Sequence, residues 1–342
     1  LRWLDLRFHT GFSEWLSHVY YDEDLTALLS LVDFAEDKEI VGKAKMVIDL
    51  ILLDMALNSY RGVFGSTHGR AYENTKKWAG NEGTADIQKL LFGMGEYSGF
   101  DCMSAINFAL SPNYEMPPVI AAIAADTRHP EMENKQRMGI QVSEAEKWGI
   151  NPNSQQSTVS SKQLSVNERF EDGMALLTLE SYLHPRNVEL TLDMFDAFNW
   201  WENDFLSDFA PYKKLLSLLR KTCLVKLMAR FFEWDLCRNT REEVHITTYR
   251  TPDYSLSCAQ NYRPSYGGDQ QHIWQATLGA GAVCFTTHPA KLDGVTPNYW
   301  AGSGQLPRAA QVKNVLFCIY NLHDKRALYV PTRLFYTCLL YT

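Results

Sequence analysis

The chain has 342 residues, 46% hydrophobic and 13% aromatic, with a formal net charge of −7. That is apolar material for a large core and a length suited to two domains. An acidic balance without a continuous lysine/arginine run argues against a nucleic-acid partner. The longest apolar stretch, 47–57, is broken by Asp49 and Asp54 and is too short to span a membrane, so no membrane partner is expected either.

Leu1 lies inside a pattern already under way, and 338–342 reads like a translated sequencing adapter. These residues are expected to be a scar on a fragment of a longer, bacterial, environmental protein. Apart from Cys338, the cysteines at 102, 223, 237, 258, 284 and 318 lack CxxC spacing and lie mostly in apolar surroundings. They are expected to be buried thiols, with no metal site, cofactor or disulfide framework.

In chain order, the hydrophobic period is helical from 24 to 235. Leu25, Leu28, Leu29, Val32 and Ala35 form one stripe, and the acidic turn Glu36-Asp37 leads into a second, Ile40, Ala44, Val47, Ile48, Ile51 and Met55. An αα-hairpin is expected, its second helix running from about 38 to 58. Thr84, Pro117-Pro118 and a Ser143/Glu146 capping box mark further helix starts. Residues 151–165 read as a polar connection, after which 168–182, 188–206 and 212–234 resume helical patterns.

From Glu243 the period becomes two. Val244, Ile246 and Thr248 alternate with His245, Thr247 and Tyr249, and strands are also expected around 254–258, 283–287 and 313–321. Helices first and strands second favour an α+β multidomain protein. A helical domain over 1–240 is followed by an incomplete antiparallel β-domain over 243–335.

Two polar clusters stand out. In the first, Ser66-Thr67-His68-Gly69-Arg70-Ala71-Tyr72, an imidazole, a guanidinium and a phenol share five positions after a buried-face helix, an inventory suited to acid/base work on an anionic substrate. The plainer reading is a tight turn in which His68 and Arg70 satisfy helix-end carbonyls. In the second, 269–278, His272 and Trp274 would share one strand face and Gln271, Ile273 and Gln275 the other. Further loops hold His288, Asn298, Tyr299 and Trp300; such aromatics stack on pyranose faces while amides bond hydroxyls. Each aromatic or histidine taken alone also fits a packed core. Asp193, Asp196, Glu202 and Asp204 are carboxylate candidates for hydrolysis, or simply a solvated helix face.

The helical-hairpin domain before an antiparallel β-domain, with a His/Arg/Tyr loop in the first and a His in the second, resembles polysaccharide lyases of the heparinase II/III and oligoalginate lyase type. That resemblance implies an (α/α) toroid followed by a β-sandwich, and β-elimination on a uronate-containing oligo- or polysaccharide in the periplasm or outside the cell. It carries the catalytic roles onto Tyr72, His68 and His272, with Arg70 or Asn58 neutralising the uronate carboxylate; Trp274, Asn298, Tyr299 and Trp300 would line the sugar site. The Asn-His pair usual in alginate-cleaving members is Thr67-His68 here. Glycoside hydrolysis and non-catalytic glycan binding remain the alternative readings.

Overall fold

The computed structural model describes residues 1–98, 102–150, 166–204, 206–266, 270–287, 306–320 and 339–341. The expected connection at 151–165 lies outside them. The protein has both helices and antiparallel sheet, and its contacts divide it into two compact units. One joins Leu1–Gly139 to the described residues from Glu243 onward; the other is Ile140–Glu242. This grouping differs from the expected division at 240, because the first helices and the strands share one core.

The first unit opens with helices α1 (Arg2–Thr10), α2 (Tyr21–Phe34) and α3 (Lys38–Asn58). The expected hairpin is α2–α3. Asp37 starts α3, its carboxylate accepting from the backbone N–H groups of Glu39 (2.8 Å) and Ile40 (3.4 Å). Leu25, Leu28, Leu29 and Val32 bury against Ala44, Val47, Ile48, Ile51 and Met55. Short helices α4 (Glu73–Lys77), α5 (Ala85–Phe92), α6 (Met103–Leu110) and α7 (Pro118–Ala124) follow. Pro118 occupies the first turn of α7, where its missing N–H costs nothing. Asp22 of α2 receives the Met103 and Ser104 N–H groups and so holds the start of α6 (3.2 and 2.8 Å).

Strand β1 (Met132–Met138) lies within the stretch expected to be helical. It is an edge strand whose residues alternate between half-buried and exposed, and its outward Glu133, Lys135 and Arg137 hide the period-two signal in a run with little apolar content. The other strands are β2 (Val244–Arg250), β3 (Ser255–Ala259), β4 (Trp274–Gly279), β5 (Ala282–Thr287), β6 (Arg308–Val312), β7 (Val315–Ile319) and β8 (Leu339–Tyr341). The main sheet runs β1-β2-β3-β4-β5-β8 with every pair antiparallel, and β6–β7 is a separate hairpin. Residues 339–341, set aside as a scar, thus form a short edge strand. Val244, Ile246, Cys258, Ala259 and Ile273 join the core of α2 and α3, as do Leu306 just before the hairpin and Ala309 in β6.

A buried chain of side chains fastens the end of α3 to the sheet. The Asn58 amide donates to Gln136 Oε1 (2.7 Å) and to the Asp54 carbonyl (2.8 Å), while Gln136 Nε2 donates to Asp54 Oδ1 (2.8 Å). Thr248 donates its hydroxyl proton to Asn58 Oδ1 (2.6 Å), so Ser257 is the donor in its 2.8 Å bond to Thr248. Ser257 in turn accepts from the Thr67 N–H (3.2 Å). Every donor points toward Asp54, and successive bonds in such a chain polarise one another.

The second unit contains 3-10 turns at Val142–Trp148, Trp200–Glu202 and Ser207–Tyr212, and helices α8 (Val166–Leu177), α9 (Val188–Ala197), α10 (Lys213–Lys221), α11 (Val225–Phe231) and α12 (Glu233–Leu236). Its core includes Val188, Leu192, Phe195, Trp201, Val225 and Ala229. The Ser143/Glu146 box does not form: Gln141 stands at the cap, without a side-chain bond, before a 3-10 turn. The single helix expected over 212–234 is broken at Cys223, which adopts a left-handed conformation (φ 56°) and is exposed, unlike the buried thiols Cys102, Cys237 and Cys258.

Asn58→Ala leaves buried partners at both ends of the broken chain, and a loss of roughly 2–4 kcal/mol is expected in urea unfolding. Burial pushes the Asp54 carboxyl up to about 7, with the Gln136 bond acting against it. Between the usual carboxylate range and about pH 7 the folded protein therefore binds more protons at this site than the unfolded chain, and stability falls as pH rises. Asp54→Asn should gain on the wild type across that window and run parallel to it above, in denaturant midpoints compared over pH.

Candidate functional site

The loop after α3 is laid onto the sheet residue by residue. Tyr60 and Val63 exchange backbone bonds (2.8 and 3.0 Å) around Arg61 and Gly62, both at positive φ, and the Tyr60 hydroxyl donates to the Pro252 carbonyl (2.8 Å). Phe64 then buries completely. His68 and His272 exchange N–H···O bonds in both directions (2.9 and 2.8 Å), and Ala71 N–H bonds the Gln270 carbonyl (2.9 Å). Thr67 adds a hydroxyl bond to the His272 carbonyl (2.6 Å) and accepts from the Trp15 indole (3.2 Å). Only glycine fits at 69, because a Cβ there would stand 2.7 Å from the Trp15 nitrogen. The same holds at 65, where it would overlap the Thr277 hydroxyl.

The bridge brings imidazoles together. His68 and His272 lie nearly parallel with ring centroids 5.9 Å apart, and His18, from the loop before α2, lies 4.0 Å from His68. All three are at most 2% exposed. Burial drives each towards the neutral form. His68 falls to about 4, with the Leu16 and Phe64 carbonyls opposing, while His18 and His272 lie well below the usual imidazole value and the Lys76 ammonium adds to the depression of all three. His68 Nδ1–H donates to the Leu16 carbonyl. His272 Nε2–H donates to Gln275 Oε1 (2.8 Å), Gln275 Nε2 to Thr277 Oγ1 (2.9 Å), and Thr277 to the Gly65 carbonyl (3.2 Å). These partners fix both tautomers.

Arg70 and Tyr72 occupy the half-buried end of the same loop. The Arg70 guanidinium bonds Glu14 (2.7 Å) and Gln270 and lies over the Tyr20 ring at 5.1 Å. Tyr20 is hydrogen-bonded to Tyr72; burial and that bond hold its phenol above the usual range, with Arg70 acting against them. A phenol kept protonated is a standing donor beside the Tyr72 oxygen.

The structure therefore brings His68, His272, Arg70 and Tyr72 into one region. Neither His68 nor His272 faces solvent. Asn58 is fully buried with its amide committed to the sheet, so it is a structural clamp instead of a carboxylate neutraliser. His272 precedes β4, and Trp274 begins it, half-buried, its indole donating to Thr286 (2.9 Å). Ile273, which in sequence shares a strand face with the amides Gln271 and Gln275, is in the core. His288, Asn298, Tyr299 and Trp300 lie outside the described residues. Three of the four hydrolase candidates are bonded within the second unit, and the fourth, Asp204, is exposed. Asp193 accepts from Arg169 and Arg220, Asp196 from the Trp201 indole (2.8 Å), and Glu202 from Asn199 (2.8 Å).

Sequence reasoning missed Glu14, His18, Tyr20 and Lys76. For Glu14, His18 and Tyr20 the one available signal was the density of polar and aromatic residues in 13–20, between α1 and α2; Lys76 had none. Among the described residues, no group of three His, Cys, Asp or Glu is disposed to hold a metal ion.

The neutral imidazoles predict acid sensitivity. Between pH 6.5 and about 4 the unfolded chain takes up protons that His68 refuses when folded, so this contribution is present above pH 6.5 and lost as pH falls through that window. Histidine ring NMR signals should show His68 unprotonated at pH 5 in the folded protein; a titration near 6.5 would contradict the burial argument.

Compared with family models, curated proteins and solved structures, the chain matches none.

Proposed function

We propose that this chain is a carbohydrate-active enzyme of polysaccharide lyase type that cleaves uronate-containing glycans by β-elimination, outside the cytoplasm where such polymers occur. In this reading α2–α3 is a hairpin of an (α/α) toroid-like layer, and the main sheet with the β6–β7 hairpin is part of a β-sandwich. One observation carries the proposal: the reciprocal His68–His272 bridge, which fixes one loop so that Arg70 and Tyr72 stand together at its half-buried end.

Elimination removes the proton beside the uronate carboxylate. The electron pair left behind forms a C4=C5 double bond as the C4–O bond breaks, and the departing sugar oxygen takes a proton. Charge that spreads into the carboxylate is stabilised by a guanidinium held in place beforehand, which suits Arg70. Tyr72 is the group that removes the proton and later returns one to the leaving oxygen, supported by the hydrogen bond from Tyr20. Glu14 and Gln270 hold the guanidinium in one orientation, so it costs little reorganisation during reaction. His68 and His272 are positioning residues. His68 ties the loop to Leu16, between Glu14 and Tyr20, and His272 anchors it to the sheet.

The chain should be incubated with a panel of uronate-containing and neutral glycans while ultraviolet absorbance of the unsaturated product is followed. Tyr72→Phe is expected to lower kcat by at least ~10²-fold with glycan binding largely kept. Arg70→Ala should weaken both binding and turnover, with Arg70→Lys intermediate because it keeps the charge and loses the fork. New reducing ends without absorbance would mean hydrolysis; binding without turnover would make the protein a glycan-binding module.

A further inference from the structure

In a chain of net charge −7, residues 213–232 contain Lys213, Lys214, Arg220, Lys221, Lys226 and Arg230 and no acidic residue. This stretch is α10, the break at Thr222-Cys223, and α11. Its apolar side chains divide into two sets. Val225 and Ala229 are buried and Leu216 and Leu219 pack beside them, against Val188, Leu192 and Phe195. Leu215, Leu218, Leu224, Leu227 and Phe231 are 54, 59, 43, 62 and 72% exposed. Their spacing, i and i+3 in α10 and i, i+3 and i+7 along α11, lines them up as ridges.

The cations also divide. Arg220 is held by Asp193 and Asp196, Lys226 by Glu189, and Lys213 lies over the Trp201 ring at 5.4 Å. Lys214, Lys221 and Arg230 are exposed and have no acidic partner among the described residues. An exposed leucine ridge beside unpaired cations asks for a surface that offers anionic groups above and apolar material below.

We propose that α10 and α11 dock on an anionic phospholipid membrane. The ridge enters the boundary between headgroups and acyl chains, and Lys214, Lys221 and Arg230 meet lipid phosphates. A second copy of this chain fits the face poorly, since a symmetric contact would oppose the cations to themselves. An acidic glycan answers the charge and leaves the leucines uncovered. The expectation of no membrane partner rests on the lack of a spanning segment, and among the described residues no helix is long and apolar enough to span one. A helix lying in the interface needs only one apolar face. The proposal is independent of the lyase reading.

The test is co-sedimentation of the whole chain with phosphatidylcholine vesicles and with phosphatidylglycerol-rich vesicles, at low and high salt, alongside light scattering. The expected result is retention on the anionic vesicles only, weakened by salt. Each neutralised cation is worth roughly fivefold in partitioning, so Lys214→Glu/Lys221→Glu/Arg230→Glu together should lose at least ~100-fold. Leu218→Ser/Leu227→Ser should weaken retention with the charges intact. Circular dichroism of these surface variants should match the parent. No retention on either vesicle, equal retention on both, or retention unchanged by charge reversal would overturn the proposal. So would a dimer dissociated by Leu227→Ser, or binding of a polyuronate through these cations without vesicle binding.

Discussion

The arrangement depends on the pair of backbone hydrogen bonds that joins His68 to His272. Thr67 and His272 are 205 residues apart in sequence, and closing so long a loop has an entropic cost that local contacts cannot offset. The compensation is concentrated at the bridge: the reciprocal bonds, the Thr67 hydroxyl on the His272 carbonyl and the Ala71 bond to Gln270. Glycine at 69 lets the loop backbone come this close to Trp15. The loop behaves as an added piece of strand, so the residues that follow it have little freedom.

Behind the bridge the interior is polar and ordered by donor direction. One run of bonds descends from the Thr67 N–H through Ser257, Thr248, Asn58 and Gln136 to Asp54; another leads from His272 through Gln275 and Thr277 back to Gly65. Both begin and end near the same loop or its supporting helix. Buried groups in such runs are expensive unless every member is paired, and a run with one sense leaves few alternatives for the side chains involved. The same burial that strengthens the bonds drives the three imidazoles to their neutral forms and raises the Asp54 carboxyl. Their effects on stability have opposite pH dependence over much of the acid range.

The second unit has a different character. Its ion pairs gather around Asp193, Asp196 and Glu189, and those to Asp193 and Asp196 occupy carboxylates that in sequence look available for chemistry. What remains is a local excess of positive charge beside exposed leucines, on a chain whose total charge has the other sign.

Elements whose signal is local were legible in the chain alone. The limits of α3, its start after Glu36-Asp37, the α2–α3 hairpin and strands β2, β3, β4, β5 and β7 follow from periodicity and capping, which depend on neighbours a few residues away; β6 and β8 carried no such signal. The chemistry of the 66–72 loop was legible as composition, and its link to His272 was expected only through a resemblance. The rest follows from contacts between distant parts of the chain. Strand β1 exists because β2 offers it an edge, despite a run of charges that carries no apolar alternation. Asn58 is a clamp because Gln136 and Thr248 surround it, and Tyr20 and Glu14 reach Arg70 because His68 holds the Leu16 carbonyl. Burial, partner and charge state are properties of what lies across space from a side chain, and no local pattern in the chain encodes them.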